Sequence, residues 1–209
     1  MKSVLISIQP YWVFLIIAKK MGWDTDKEKT VEIRKNFPKD ENWDKTVKIY
    51  CSKDQKSFKQ IPEKYQTLMK PYLGKVIGEF VCDKIIHIGK RGIPNNFDYC
   101  YLSLNKWGND DIEVEITTIK NSCVSKEHLN SYGESSSCLY GWHISNLKIY
   151  DITKELGEHF KICPFDCSCD TCGLFAMETP FEVAHCKNSE RYLTRPPQSW
   201  CYAESMLKS

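Results

Sequence analysis

Three charged side chains, Lys29, Glu32 and Arg34, follow one another at short intervals near the start of this sequence. The residues around them alternate between apolar and polar with the period of two that is typical of a half-buried strand. Val31 and Ile33 would face the core, and Glu32 and Arg34 would share the opposite face. A carboxylate beside several donors suits an amide, a nucleobase edge or a phosphate. The alternative is an edge strand with a solvated face, where ion pairs contribute little.

The second group that could do chemistry is a cysteine cluster. Five of the eleven cysteines lie within 24 residues, and two of them, Cys169 and Cys172, have the spacing with which two thiolates bind one tetrahedral ion. A second pair from the others, with His185 as a spare, would complete a four-ligand site. We expect a structural zinc, because the segment 160–193 is too polar to form its own core. Its expected ligands are Cys163, Cys169, Cys172 and Cys186, with Cys167 as the alternative. Unligated thiols or a redox dithiol are the competing interpretations.

Length and composition limit the class of protein. A chain of 209 residues suffices for one decorated domain or two small ones. The longest apolar run, Tyr11–Ala18, is too short to cross a bilayer, and it lacks the basic start of a signal peptide. Eleven cysteines without an export signal indicate a reducing compartment. We therefore predict a cytoplasmic protein that does not span a membrane.

Charge is spread unevenly along the chain. Residues 1–91 hold 19 basic against 11 acidic side chains, a net +8, whereas residues 92–209 hold 10 against 16, a net −6. A basic first half is compatible with a partner that carries phosphates. Scattered surface lysines would produce the same sum, so charge alone does not establish such a partner.

The N-terminal residues resemble the ASCH family of the PUA-like superfamily. Members carry a strand ending in Ser-Ile-x-Pro, which Ser7–Pro10 matches, followed by a helix. A Gly-x-Lys-x-x-Glu-x-Arg signature then opens the second strand, and Lys29, Glu32 and Arg34 match it. The family's glycine falls on Lys27, so the turn into that strand is expected to differ.

The resemblance implies a β-rich α+β fold, namely a PUA-like mixed pseudo-barrel with flanking helices. It would cover residues 1–151 and 194–209, with an inserted hairpin at about 92–124 and the Cys-rich segment at 160–193. Local patterns agree with a strand-rich chain. Strands are predicted at 2–8, 28–35, 46–51, 75–88, 99–104, 112–119, 138–150 and 199–204. Helices are predicted at 10–18, 62–69 and 125–133, and from Thr153 to about His159.

The same resemblance implies a module that binds RNA, another nucleic acid or a nucleobase-containing small molecule. The expected ligand-binding residues are Ser7, Lys29, Glu32, Arg34, Trp142, His143 and Trp200. Glu32 would accept from a base amine, Arg34 and Lys29 would meet carbonyl or phosphate oxygens, and a tryptophan would stack on the base. Core packing is the alternative role of the tryptophans, and a structural role that of His143.

Two other functions stay open. Some compact ASCH proteins act as amidohydrolases on acetylated cytidine, using a threonine nucleophile and the signature lysine. That nucleophile position is Glu32 here, so hydrolysis would need Lys29 and Glu32, with Glu32 as general base on water. The third possibility is a zinc-stabilised adaptor protein without catalytic activity.

Overall fold

The structure is a computed structural model that describes residues 3–40, 43–93, 96–103, 118–136, 138–161 and 192–205. Only the backbone is described at 90–93, 96–103, 160–161 and 204–205. The chain divides into two compact units. The first comprises Met1–Pro10, Asn42–Glu79 and Ile149–Ser209, and the second comprises Tyr11–Glu41 and Phe80–Lys148.

Strands and helices are both present. The strands are β1 (Ser3–Ile8), β2 (Val31–Arg34), β3 (Thr46–Cys51), β4 (Lys75–Val81), β5 (Ile85–Ile93), β6 (Asn96–Ser103), β7 (Cys138–His143), β8 (Ser145–Glu155), β9 (His159–Lys161) and β10 (Trp200–Ser205). The helices are α1 (Pro10–Ile17), α2 (Gln55–Phe58), α3 (Glu63–Met69) and α4 (Lys126–Gly133), and residues 118–122 are helical as well. The prediction of a strand-rich α+β fold is confirmed.

A six-stranded sheet has the order β8-β4-β3-β1-β10-β9. β1 runs parallel to β3 and antiparallel to β10. The polar positions of β3 are buried too, because Lys48 and Tyr50 have little exposed surface, as have Val47 and Ile49. β3 lies between β4 and β1 in the interior of the sheet. A strand covered on both faces buries its polar positions too.

A four-stranded sheet of order β2-β7-β5-β6 is antiparallel throughout its described pairs. One face packs on a core formed by Val31, Ile33, Ile88, Leu129 and Leu139. Leu129 belongs to α4, which begins after Ser125, whose side chain accepts from the His128 N–H as predicted. This sheet positions the charged cluster described below.

Several predicted boundaries are wrong. The single strand at 75–88 is two strands in different sheets, interrupted at residues 82–84. β5 extends to Ile93, beyond the predicted strand end at residue 88, and β6 begins at Asn96, before the predicted start at residue 99. The predicted strand at 112–119 ends in residues that are helical. The helix predicted from Thr153 is absent there, because β8 continues to Glu155 and a capping box of Glu155 and Glu158 starts a 3-10 turn.

α1 is buried on most sides, as its apolar sequence predicts. Its eight residues are far fewer than the twenty or so that a bilayer needs. Among the described residues, no helix has both the length and the apolar character to cross a membrane.

Candidate functional site

The structure brings Lys29, Glu32 and Arg34 together as one charged cluster. Glu32 Oε1 lies 3.0 Å from an Arg34 guanidinium nitrogen, and Glu32 Oε2 lies 3.3 Å from Lys29 Nζ. The side chains of Lys29, Glu32 and Arg34 are only 1%, 8% and 9% exposed. The prediction placed these charges on one surface of a strand, and the structure places them inside the second unit, with the carboxylate between two cations.

The Lys29 amine contacts two further groups, a backbone carbonyl and an aromatic ring. It donates to the Ser122 carbonyl oxygen at 2.7 Å, and it lies 5.1 Å from the centre of the Trp12 ring. Trp12 is itself half-buried and meets His128 edge to face. Sequence reasoning missed Trp12, because α1 is apolar all round and gives no sign of which residue faces the cluster.

Burial shifts the titration of Lys29. Desolvation of the ammonium lowers the pKa of Lys29 from its ordinary 10.5, and the nearby Glu32 carboxylate opposes this shift. The chain thus holds an amine that loses its proton more easily than an exposed lysine does.

The lowered pKa predicts a pH-dependent stability. Between the folded-state pKa of Lys29 and 10.5, the unfolded chain binds more protons than the folded protein. Stability therefore rises with pH across this window. Relative to Lys29→Met, the wild type should gain free energy of unfolding as pH rises towards 10.5, measured by urea unfolding at several pH values. Parallel pH profiles for the two proteins would contradict the shift.

Trp142 lies beside the cluster and His143 does not. Trp142 is the cross-strand partner of Glu32, so the two share a sheet face, and its ring is fully buried. His143 is opposite Val31 on the other face, where its Nδ1 lies 2.6 Å from Asp83 Oδ1. That bond to His143 lowers the pKa of the Asp83 carboxyl. The predicted binding residues of β7 therefore face two different sides.

Ser7 and Trp200 belong to the first unit. They lie near each other where β1 pairs with β10, because the Ser7 N–H donates to the Ser199 carbonyl at 3.0 Å. Trp200 is half-buried and meets Tyr202 edge to face, with ring centres 5.4 Å apart. Trp200 and Tyr202 are neighbours on one face of β10, because residues two apart along a strand share a face.

An open pocket of about 630 Å³ lies at the entry to β2. It is lined by Asp26, Lys27, Glu28, Thr30, Ile119, Lys120, Asn121, Cys123, Val124 and Ser125. Lys29 is not among them, since its amine bonds to Ser122 and Glu32 instead. The volume falls within the range of small-molecule sites. We predicted no cavity here from the sequence. One side of the pocket is formed by residues 119–125, which lie about ninety positions after residues 26–30 on the other side, and no local pattern indicates that the two segments meet.

The predicted zinc ligands Cys163, Cys167, Cys169, Cys172 and Cys186, together with His185, lie outside the described residues. Within the described part of the chain, no three His, Cys, Asp or Glu side chains gather closely enough to hold a metal ion. The zinc site therefore stays a prediction.

Solved structures of other proteins include chains that are similar to this one. The chain is similar to crystal structures of the ASCH protein from Zymomonas mobilis. The unmodified protein is 13% identical with a TM-score of 0.45, over 96% of this chain and 87% of that one. The structural neighbours are ASCH proteins. Two single-substitution mutants of the same protein are also 13% identical, with TM-scores of 0.46 and 0.45, covering 97% and 96% of this chain and 90% and 87% of theirs.

The sequence itself matches no family model, and it matches no curated protein. The two sheets and several helices are consistent with the PUA-like fold that the N-terminal motif implies.

Proposed function

We propose that this chain binds nucleic acid, or a nucleotide or nucleobase, and that Lys29, Glu32 and Arg34 form the recognition group. RNA is the expected nucleic acid. Glu32 offers the acceptor that a base amine or ring N–H needs, and the two cations offer donors to carbonyl or phosphate oxygens.

The observation that carries the proposal is the burial of this three-residue cluster. Buried ion pairs are often replaceable by apolar residues with no loss of stability, because desolvation offsets their attraction. Glu32 and Arg34 are buried in the four-residue strand β2, and Lys29 is buried just before it. Because stability does not require these charges, their presence favours a role in function.

Trp12 adds a second element of recognition. Its ring contacts the Lys29 amine and stays half-exposed, so an aromatic surface lies beside the charged cluster. Base stacking on such a ring contributes roughly 1–3 kcal/mol per base. Together, the ring and the cluster would bind a flat heterocycle by stacking and by hydrogen bonds to its edge.

The proposal is tested with Glu32→Gln, which keeps the shape of the side chain and removes its charge. We expect about tenfold weaker binding of a labelled single-stranded RNA, because charge-assisted hydrogen bonds are roughly twice as strong as neutral ones. Fluorescence anisotropy at low and at physiological salt measures the affinity.

The matched control is Glu63→Gln, an exposed glutamate of α3 in the first unit. It should bind as the wild type does. Equal affinity of Glu32→Gln, Glu63→Gln and wild type would overturn the role of the cluster. Absence of binding to RNA, DNA and nucleosides by the wild type would overturn the proposed function itself.

Hydrolysis of acylated nucleosides is a second candidate, which the lowered pKa of Lys29 favours. Glu32 or the neutral amine would take a proton from water as the water attacks the amide carbonyl. The amide C–N bond then breaks, and the leaving amine takes up that proton. Acetate release from acetylated cytidine, lost in Lys29→Met, would support this activity. Binding without acetate release would exclude it.

A further inference from the structure

Three aromatic side chains form a group at the surface of the four-stranded sheet. Phe37 lies 4.7 Å from Tyr140 and 5.7 Å from His87, and His87 lies 5.1 Å from Tyr140, measured between ring centres. His87 is exposed, and Phe37 and Tyr140 are half-buried. We call Phe37, His87 and Tyr140 the aromatic platform. All three belong to the second unit.

The platform lies on the same sheet face as the charged cluster. Tyr140 is the cross-strand partner of both His87 and Arg34, and Glu32 is opposite Trp142. Side chains at opposed positions share a face, and residues two apart along a strand do so as well. The platform therefore continues the face that carries Arg34 and Glu32, one step along β7.

The rings of the platform meet tilted or edge to face, and no pair among them is stacked. Their planes are inclined to one another by 51° to 78°. In such contacts the edge of one ring lies against the face of another and covers only part of it, and the exposed His87 side chain leaves aromatic surface for a flat partner. Cross-strand packing does not require an exposed ring, whereas stacking on a ligand does. His87 is exposed, so its position favours a ligand contact.

Two lysines flank the platform residue Phe37 along the chain. Exposed Lys35 and Lys39 lie two residues before and two residues after Phe37. The Lys35 amine donates to Ser135 Oγ at 3.1 Å and lies 5.2 Å from the centre of the Tyr132 ring. Aromatic faces interleaved with cations match an alternation of bases and phosphates. An apolar protein partner would leave these cations without matching charge.

We infer that the aromatic platform stacks successive bases of a single-stranded nucleic acid whose neighbouring nucleotide reaches the charged cluster. This inference rests on the proposed function and extends it from one base to a strand. A single strand fits because its bases expose their faces, whereas a duplex hides them. Lys35 and Lys39 would contact the phosphates on either side of the stacked bases.

The test uses Phe37→Leu and Tyr140→Leu, which keep an apolar side chain and remove the aromatic ring. The probes are a labelled eight-nucleotide single-stranded RNA, the same sequence as a duplex, and a single nucleoside. Each variant should bind the single strand about tenfold more weakly, in line with the contribution of one stacked base. Nucleoside binding should be unchanged, because it needs only Trp12 and the charged cluster, which these variants leave in place.

Tyr72→Leu is the control, since Tyr72 is a half-buried aromatic of the first unit. Thermal unfolding of every variant checks that it is folded. If the wild type binds the octamer and both platform variants bind it equally well, the inference is overturned while the proposed function stands. Equal affinity of the wild type for the duplex and the single strand would overturn it too. If the wild type binds neither the octamer nor the nucleoside, the proposed function fails and the inference fails with it.

Discussion

Glu32→Ala is expected to lower the free energy of unfolding by about 3–5 kcal/mol, the typical effect of removing one partner from a buried ion pair. The carboxylate lies between Lys29 and Arg34, both of which are buried. Without it, two cations stay close together in a medium that solvates them poorly. Urea unfolding followed by circular dichroism measures the change.

Glu28→Ala is the matched control. Glu28 pairs with Lys19 at 2.8 Å, closer than Glu32 is to Lys29, but the Lys19 and Glu28 side chains are 72% and 42% exposed. Exposed pairs contribute about 0–1 kcal/mol, so the control should unfold almost as the wild type does. Burial and not distance decides the difference. Similar losses in the two variants would contradict this account of the cluster.

The triple variant Lys29→Met, Glu32→Leu and Arg34→Met separates stability from function. All charges leave together, so no charge stays buried alone, and the stability should return close to that of the wild type. Nucleic-acid binding should nevertheless be lost, since no donor or acceptor of the recognition group is left. A stable triple variant that still binds RNA with full affinity would show that the cluster is structural.

The sequence predicted the elements near the cluster better than those farther along the chain. The pattern of each element is clear: β2 alternates with a period of two, and β1 and α1 are largely continuous apolar runs. Their ends carry recognisable breakers such as Pro10. Their prediction required only local information. The pairing of Lys29, Glu32 and Arg34 was similarly accessible, because their spacing along one short segment brings the side chains together.

The structure differs from the prediction wherever tertiary contacts decide. Residues 75–88 are rich in β-forming residues, and Asp83 and Lys84 were too weak a local signal to predict the break at residues 82–84 that separates β4 from β5. Lys48 carries a charge that a half-buried strand would expose to water, but the interior position of β3 buries it. Ser122 contacts Lys29 across 93 positions of sequence, which no local pattern can indicate.

Trp142→Ala is expected to lower the free energy of unfolding by about 3–5 kcal/mol, as large-to-small changes of buried aromatic residues do. Trp142 has no exposed surface and is among the largest fully buried side chains of the described residues. Its removal would leave a cavity opposite Glu32 on β7. Trp200→Ala is the control, and it should cost less because Trp200 is only half-buried. Thermal and urea unfolding compare the two variants.

Trp142→Phe then distinguishes packing from ligand contact. The smaller ring retains most of the apolar volume, so the protein should fold with a reduced loss of stability. The sequence-based hypothesis of a base stacked on Trp142 requires an exposed ring face, and the structure buries this ring completely. RNA affinity of Trp142→Phe should therefore equal that of the wild type, whereas Phe37→Leu weakens it. A loss of affinity in Trp142→Phe without a comparable loss of stability would instead place the stacked base against Trp142.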